Sequence, residues 1–327
     1  MFRGNLPCKK YLSSLPSVKL SFWLASLTVE RLERKYNDIN EHLKKFNNSW
    51  DDVFYVVLSR NFGFGNNTDE FERLANRLPY KYIQKHSDSL FQIEALMFGQ
   101  AGLLERNGGN SFDIQDDKVD DYYLKLQNEY RFLESKYKLN EFKRTNDYQA
   151  VNESIELNDS KSRVLKTLAI PEMRVAQLAA LLHKSGRLFS TVLEVKDYKE
   201  FISYMQTKPS DYWQTHTSLG RKSAKADKLL SAASLDVIVI NTVVPILFAY
   251  GKKVANESYC QRAIDILDSM QPERNYIVRM FSEAGLKAQN AADSQALIQL
   301  RREYCEKRRC EYCRIGGSLL SLDKKWT

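Results

Sequence analysis

The chain has 327 residues, a hydrophobic fraction of 43% and a formal net charge of +8. This length allows one large domain or two ordinary ones, and the apolar content supplies a true core, so the chain is globular. The excess of 49 Lys and Arg over 41 Asp and Glu favours anionic partners, although it serves solubility equally well. The N-terminus lacks the regions of a secretory signal, so we expect a cytoplasmic protein.

Helical periodicity dominates the sequence. Apolar residues recur at alternating spacings of four and three in two stretches, which predicts two long helices. The first begins near residue 20 and carries Leu32, Tyr36, Ile39, Leu43 and Phe46; the second carries Val119, Tyr123, Leu126, Tyr130, Leu133 and Tyr137. The aromatic residues could stack on nucleic-acid bases, but packing in a helical core is their commoner role.

Shorter helices are predicted after Ser49 and Thr68, each of which precedes acidic residues as an N-cap does. Further helices are predicted at residues 81–105, 171–185, 197–206, 234–249, 257–270, 273–284 and 291–304. Residues 188–195 are the only stretch with the β-branched composition typical of a strand, and this stretch is short. The predicted fold class is therefore all-α, a multi-helix orthogonal or bundle-like array with irregular N- and C-terminal segments that a cysteine cluster joins.

The polar segment 146–162 is weakly periodic and is the best candidate for a linker. It would separate an N-terminal helical subdomain, residues 1–145, from a C-terminal helical subdomain, residues 163–327. The apolar run 235–250 is interrupted by Asp236, Asn241 and Pro245 and is shorter than the roughly 20 residues that span a membrane. We therefore expect a buried core helix and no membrane contact.

Three of the five cysteines, Cys305, Cys310 and Cys313, lie close together near the C-terminus. Disulfides are disfavoured in the cytosol, so this spacing favours metal binding over three reduced thiols in a tail. The four-then-two spacing matches plant-type ferredoxins, which hold an iron–sulfur cluster, and zinc sites also use three local cysteines. The residues alone leave the cofactor open between an iron–sulfur cluster and Zn.

Either centre needs a fourth ligand. Cys8 and Cys260 are the thiol candidates, and His183 or His216 would complete a site of three cysteines and one histidine. Cys260 lies in a helical pattern, where a lone cysteine is usually a small buried hydrophobe. Cys8 follows Pro7 in an irregular segment that is freer to reach a distant site.

Two groups of basic residues are candidates for nucleic-acid binding. One surrounds the cysteines, where it would offset thiolate charge or contact phosphates, and includes Arg301, Arg302, Arg308 and Arg309. The other is a predicted turn with Arg221, Lys222 and Lys225, which is either a solvated loop or a phosphate contact.

No complete catalytic set is visible. Glu94 and His183 lie beside apolar faces, where a structural hydrogen bond is commoner than a functional role. No Ser/His/Asp order, paired-histidine metal motif or P-loop occurs, so we predict no catalytic residue in this chain.

Several strings together resemble the DUF 2851 family (domain of unknown function 2851). They are LFQIEALMFGQAG (90–102), RVAQLAALLH (174–183), NTVVP (241–245), DSQAL (293–297) and YCEKRRCEYCRIG (304–316). The resemblance covers nearly the whole chain. It implies that longer members carry a nuclease-like N-terminal region, and that region is absent here.

Members also have a cysteine placed like Cys8, so the resemblance favours Cys8, Cys305, Cys310 and Cys313 as ligands. By analogy with nucleases whose iron–sulfur centre joins the chain ends, the site would have a structural role. We therefore expect a non-catalytic accessory region of a nuclease-like protein, with DNA or RNA and the missing nuclease-like domain as partners. The alternative is a helical scaffold or protein-interaction module with a structural zinc site.

Overall fold

The structure is a computed structural model, and it describes residues 6–12, 14–104, 120–142 and 171–323. Its first seven helices are α1 (Lys9–Leu12), α2 (Ser17–Lys45), α3 (Trp50–Asn61), α4 (Thr68–Arg77), α5 (Tyr80–Gln84), α6 (Leu90–Gln100) and α7 (Asp121–Tyr137). They are followed by α8 (Glu172–Lys184), α9 (Leu188–Glu194), α10 (Tyr198–Met205), α11 (Asp211–Gln214), α12 (Ala232–Ile238), α13 (Val244–Lys253), α14 (Glu257–Ser269), α15 (Tyr276–Glu283), α16 (Ala291–Gln299) and α17 (Arg314–Asp323).

The predicted all-α class is confirmed. The strands of the described residues form one small antiparallel hairpin, β1 (His216–Ser218) with β2 (Arg221–Lys222). Residues 188–195, whose composition resembles a strand, form α9 instead. Leu188 and Val192 are both buried, and their spacing of four places them on one helical face.

Two π-helical turns interrupt otherwise α-helical segments. Val239–Val243 lies between α12 and α13, and Leu300–Cys305 follows α16. A π turn adds one residue to a helical turn and often occurs near functional sites. The second of these turns ends on a cysteine of the predicted metal site.

The described helices form two compact units. Unit 1 contains the described residues of Met1–Lys44, Lys196–Tyr198 and Val243–Thr327, and unit 2 those of Lys45–Val195 and Lys199–Thr242. Unit 1 therefore combines both ends of the chain. The predicted linker, residues 146–162, lies outside the described residues, and the predicted subdomain boundary stays a prediction.

The core of unit 1 is built from helices at both ends of the sequence. Leu12 and Trp23 of α1 and α2 share one buried cluster with Phe281, Leu297 and Ile315 from the C-terminal part. Both ends of unit 1 are helical, in α1 and α17, where the sequence predicts irregular segments. Their shared core nevertheless brings the cysteine-bearing segments together.

Unit 2 has a helical core in which α6 packs against α7 and α8, and α3 packs against α4. The predicted aromatic stripe of α7 does face this core, where Leu126, Tyr130 and Leu133 are buried. A Cβ atom at Gly99 would lie 2.0 Å from Cδ2 of Tyr130, so α6 and α7 can approach this closely only because residue 99 is glycine. This stripe therefore serves packing.

The predicted helix starts agree with the structure at Ser49 but not at Thr68 or within residues 81–105. Ser49 is the N-cap of α3, and its hydroxyl accepts a hydrogen bond from the backbone N–H of Asp52 at 3.3 Å. Thr68 is wrong as a cap, because it is the first residue of α4 and Asn67 holds the cap position. The single helix predicted at 81–105 is divided between α5 and α6, because Ser89 caps a new start.

Among the described residues, one helix is long and apolar enough to cross a membrane, Ala232–Lys253, with a mean hydropathy of 2.0 over its most apolar window. However, 72% of that window is buried inside the protein, which is typical of a core helix. The segment that the sequence identifies as a core helix is thus buried by other residues of this chain.

Candidate metal centre

A cavity of about 340 Å³ in unit 1 is lined by four cysteines, Cys8, Cys305, Cys310 and Cys313. Its wall also includes Pro7 and the polar side chains of Arg301 and Arg308. The apolar part of the wall comes from Leu6, Leu319 and Leu320. We call this space the cysteine cavity. It brings together the four residues that the sequence and the family resemblance nominated as ligands.

Cys8 is positioned at the start of α1. Its carbonyl oxygen accepts the backbone N–H of Leu12 at 2.9 Å, which begins the helix at the cysteine itself. Leu12 is buried in the core of unit 1, so the short helix is anchored at its far end. A hydrogen bond of 2.9 Å between the Tyr11 and Ser318 hydroxyls links the same helix to α17. Packing at both sides therefore holds Cys8 beside the C-terminal segment.

The segment between Cys305 and Cys313 turns back on itself. Cys305 ends the π turn, and Arg308 adopts a left-handed conformation with φ of 54°, which reverses the chain before Cys310. Gly316 then lies against this turn, because a Cβ atom there would be 2.2 Å from the Cys310 carbonyl oxygen. A side chain at residue 316 would therefore displace the loop that carries two of the thiols.

Cys313 is buried and lies directly before α17. Burial raises the pKa of its thiol, whereas backbone N–H groups of Gly316 and Ile315 donate to the sulfur and lower that pKa. N–H groups and the positive end of a helix stabilise a thiolate. Hydrogen bonds of this kind also surround the sulfur ligands of metal centres.

The cysteines are close enough to influence one another's charge. Burial, together with the neighbouring Cys313 and Cys8, raises the pKa of Cys305 to about 12. Burial likewise raises the pKa of Cys8, and Cys313 adds to this effect. These raised pKa values keep Cys305 and Cys8 protonated at neutral pH. A bound cation would displace the protons and stabilise the thiolates, and this is how thiolate metal sites form.

The donor set fits a thiolate-bound centre, because four cysteines are the ligand set of common iron–sulfur clusters and of structural zinc. In the described part of the chain, no three His, Cys, Asp or Glu side chains form a group that could hold a metal ion. The four thiols instead line the walls of a cavity.

The other proposed ligands have different surroundings. Cys260 is on α14, and its thiol donates to the Phe248 carbonyl oxygen at 3.5 Å, in contact with the backbone of α13. His216 stacks on Tyr212 with 3.9 Å between ring centroids, and His183 ends α8; both belong to unit 2. None of these three residues lines the cysteine cavity.

The basic residues near the cysteines have several positions. Arg301 and Arg308 line the cysteine cavity, and Arg301 Nε lies 3.2 Å from Glu306 Oε1. Arg309 is exposed and lines a neighbouring pocket, and Arg302 is exposed and close enough to lower the pKa of Arg31. Arg301 and Arg308 are therefore placed to offset thiolate charge, and Arg302 and Arg309 face solvent.

The second basic group forms the hairpin where the sequence predicts a turn. Arg221 and Lys222 make up β2 and are exposed, and Lys225, which follows the hairpin, is exposed as well. Backbone N–H groups of Leu219 and Gly220 donate to the carboxylates of Glu172 and Asp120 respectively. These bonds hold the hairpin against unit 2 and leave the basic side chains in solvent.

Glu94 is fully buried in unit 2 and accepts hydrogen bonds from the hydroxyls of Tyr122 and Ser210, the latter at 3.2 Å. Burial raises its pKa to about 7, although both hydrogen bonds oppose the shift. Tyr122 stacks on Tyr212 with 4.1 Å between centroids. The sequence identified Glu94 but not these partners, which lie 28 and 116 residues away along the chain.

The family model described as "Protein of unknown function (DUF2851)" matches residues 2–276 of this chain. Since the match covers most of the sequence, the chain belongs to this family. The matched region includes Cys8 and ends before Cys305, Cys310 and Cys313. No curated protein and no solved structure matches the chain.

Proposed function

We propose that this chain is the helical accessory region of a nuclease-like, nucleic-acid-processing protein of the cytoplasm, and that it performs no chemistry alone. In this proposal the four cysteines hold a structural metal or iron–sulfur centre that joins the two ends of the chain. The exposed arginines beside that centre, with the basic hairpin, bind the phosphate backbone of DNA or RNA. The partner that cuts the nucleic acid is a nuclease-like domain outside this sequence.

One observation carries the proposal: Cys8 lines the same cavity as three cysteines that lie about 300 residues further along the chain. Cysteines from both chain ends meet there without forming a disulfide, since all five cysteines are free. Arginine side chains complete the cavity wall. This arrangement provides four thiolates, positive charge to balance them and a mechanical link between distant segments.

Four thiolates are the ligand set of both iron–sulfur clusters and structural zinc, so the donor set alone does not separate the two cofactors. The four-then-two spacing of the C-terminal cysteines matches plant-type ferredoxins and favours an iron–sulfur cluster.

Anaerobic purification followed by iron, sulfide and zinc analysis tests the metal site. We expect iron and sulfide in comparable amounts and a brown protein that absorbs visible light. The Cys8→Ser variant should lose the iron, the sulfide and the absorption. Cys260→Ser is the matched control, because its thiol faces the backbone of α13, and it should retain the cofactor. A colourless, metal-free protein that is stably folded would exclude the centre altogether.

Fluorescence anisotropy with labelled DNA and RNA tests nucleic-acid binding. The dissociation constant should rise with added salt, and the double variant Arg302→Gln/Arg309→Gln should bind more weakly with a smaller salt dependence, by about 0.7–0.9 in logarithmic slope per lost phosphate contact. Lys44→Gln/Lys253→Gln is the control, because it removes the same charge from exposed positions of unit 1. Absent binding at low salt, or binding that ignores salt, contradicts this role.

The position of Arg301 and Arg308 supports a second candidate, a helical scaffold with a purely structural metal site. Both line the cysteine cavity, where their charge serves the thiolates and need not contact phosphate. The two candidates give opposite results in the anisotropy experiment. A protein that holds its cofactor but binds neither DNA nor RNA is the scaffold.

A further inference from the structure

The cysteine cavity opens to solvent beside Cys310. Two of its lining residues, Leu6 and Cys313, are buried and form its inner part. Four other lining residues are exposed: Pro7, Arg308, Cys310 and Leu320. We call these four residues the mouth of the cavity. One thiol and one guanidinium group therefore meet water at the place where a dissolved molecule would enter.

The four thiols differ in their contact with water. Cys313 is buried, and Cys8 and Cys305 are partly buried. Burial raises the pKa of each of these three thiols. Cys310, in contrast, is exposed. A molecule in solution can therefore reach Cys310 directly, whereas protein atoms cover the other three thiols partly or fully.

The backbone that carries Cys310 is nevertheless held firmly. The carbonyl oxygens of Cys310 and Arg309 both accept the backbone N–H of Cys313, at 3.2 and 3.1 Å. The Arg309 N–H in turn donates to the Tyr304 carbonyl oxygen at 2.8 Å. A change of ligand at Cys310 thus needs the rotation of one exposed side chain and no unfolding of the loop.

Thiols are the ligands that compete for such a position. A centre held by soft thiolates accepts another thiolate with little change in bonding. In the exchange, the incoming sulfur forms a bond to the metal, and the bond from Cys310 Sγ breaks. The proton of the incoming thiol passes to Cys310. No electron is transferred, so the exchange requires neither an oxidant nor a reductant.

The charge at the mouth favours an anionic thiol. Four thiolates leave either candidate cofactor with a net negative charge, which repels an approaching thiolate. Arg308 and Arg309 immediately precede Cys310 and are both exposed, so their guanidinium groups oppose this repulsion. We propose that Cys310 is the exchangeable ligand of the centre, at which a small anionic thiol loads or removes the metal. The proposal rests on the metal site proposed above and adds to it the position and the exchange partner.

Release of metal to a coloured chelator, from loaded protein kept without oxygen, tests the exchange. The rate should rise in proportion to the concentration of glutathione, an anionic thiol. At equal thiolate concentration, the neutral thiol 2-mercaptoethanol should act more slowly. S-methylglutathione is the matched control, because it has the charge of glutathione but no free thiol, and it should not accelerate release.

Two substitutions at Arg308 test the role of charge. Arg308→Gln should slow release by glutathione about fivefold and leave release by 2-mercaptoethanol unchanged. Arg308→Lys keeps the positive charge at the same left-handed backbone position and should behave as wild type. Equal rates for the two thiols in the wild-type protein would contradict the preference for an anionic partner.

Serine variants separate Cys310 from the other ligands. Cys310→Ser should still hold metal after anaerobic loading, because water can fill an exposed ligand position. Its metal release should no longer depend on glutathione. Cys313→Ser should hold no metal, as expected for Cys8→Ser. Circular dichroism of the metal-free proteins should give equal helical content, which separates loss of a ligand from loss of the fold.

The failures of the two proposals are distinguishable. If the wild-type protein retains no metal under any loading condition, the metal site is wrong and the exchange proposal fails with it. If metal is retained but S-methylglutathione accelerates its release as much as glutathione does, only the exchange is wrong. Loss of metal from Cys310→Ser as complete as from Cys8→Ser also overturns it, because Cys310 would then be an ordinary fixed ligand.

Discussion

Glu94 is a carboxyl group whose surroundings oppose its ionisation. Its pKa is about 7 in the folded chain, against roughly 4.3 in an unfolded one, so the folded state keeps its proton to higher pH. This contribution to stability is complete below about pH 4 and is lost progressively as pH rises to about 7. Above about pH 7, Glu94 is ionised in both the folded and the unfolded chain, so the loss of stability no longer changes with pH.

Glu94→Gln replaces the carboxyl with a neutral side chain of the same shape. We expect wild type to lose about 2 kcal/mol of unfolding free energy relative to the glutamine variant between pH 5 and pH 8. Urea unfolding of both proteins at the two pH values measures this difference. An equal pH dependence in the two proteins would mean that Glu94 is already ionised in the folded chain at low pH.

Gly99 sets the distance between α6 and α7. Gly99→Ala adds a methyl group that overlaps the Tyr130 ring, so we expect a loss of about 1–3 kcal/mol of stability. Gly186→Ala is the control, because a Cβ atom there has nothing within 4 Å, and its stability should change little. The measurement is the midpoint of chemical unfolding. A loss of similar size at both glycines would indicate a backbone effect and not the contact with Tyr130.

At the scale of helices and strands, the start of α3 depends on one hydroxyl. Ser49→Ala removes the acceptor for the Asp52 N–H, and we expect a loss of about 1 kcal/mol in the unfolding free energy. Ser49→Asn should restore most of it, because asparagine caps helices as well as serine does. Equal stability in all three proteins would show that the acidic first turn alone starts this helix.

Local patterns predicted most of the helices because the spacing of apolar residues reports a buried face directly. The stripe of α7 and the cap at Ser49 are examples. What the patterns could not show depends on distant partners. Residues 188–195 form a helix because Leu188 and Val192 are both buried, and the π turn before Cys305 leaves no recognisable signal in the sequence.

The candidate metal centre, too, could be predicted from local patterns only in part. The three C-terminal cysteines were visible from their spacing. Cys8 was one of several candidates for the fourth ligand on the residues alone, and the family resemblance favoured it over Cys260. The neighbouring pocket lined by Tyr304, Arg309 and Tyr312 was not predicted from the sequence. Glu30 could not have been found, because it enters the pocket from α2.

At the scale of the whole molecule, the two chain ends depend on each other for a common core. Leu12 is 1% exposed in that core, so Leu12→Ala should lower stability by about 2–4 kcal/mol. Hydrogen exchange should then also accelerate in α17, at the opposite end of the sequence. Val18→Ala, at a position 81% exposed, is the control. Unchanged protection of α17 in Leu12→Ala would mean that the two ends are stable separately.

The shared core of unit 1 also has a consequence for synthesis on the ribosome. Its first segment, up to Lys44, emerges early, but its partners begin at Val243 and include residues near the end of the chain. All of unit 2 is translated in between and can fold as soon as it is exposed. The apolar face of α2 must therefore stay exposed to water, or bound by a chaperone, until its partners from Val243 onward have been translated.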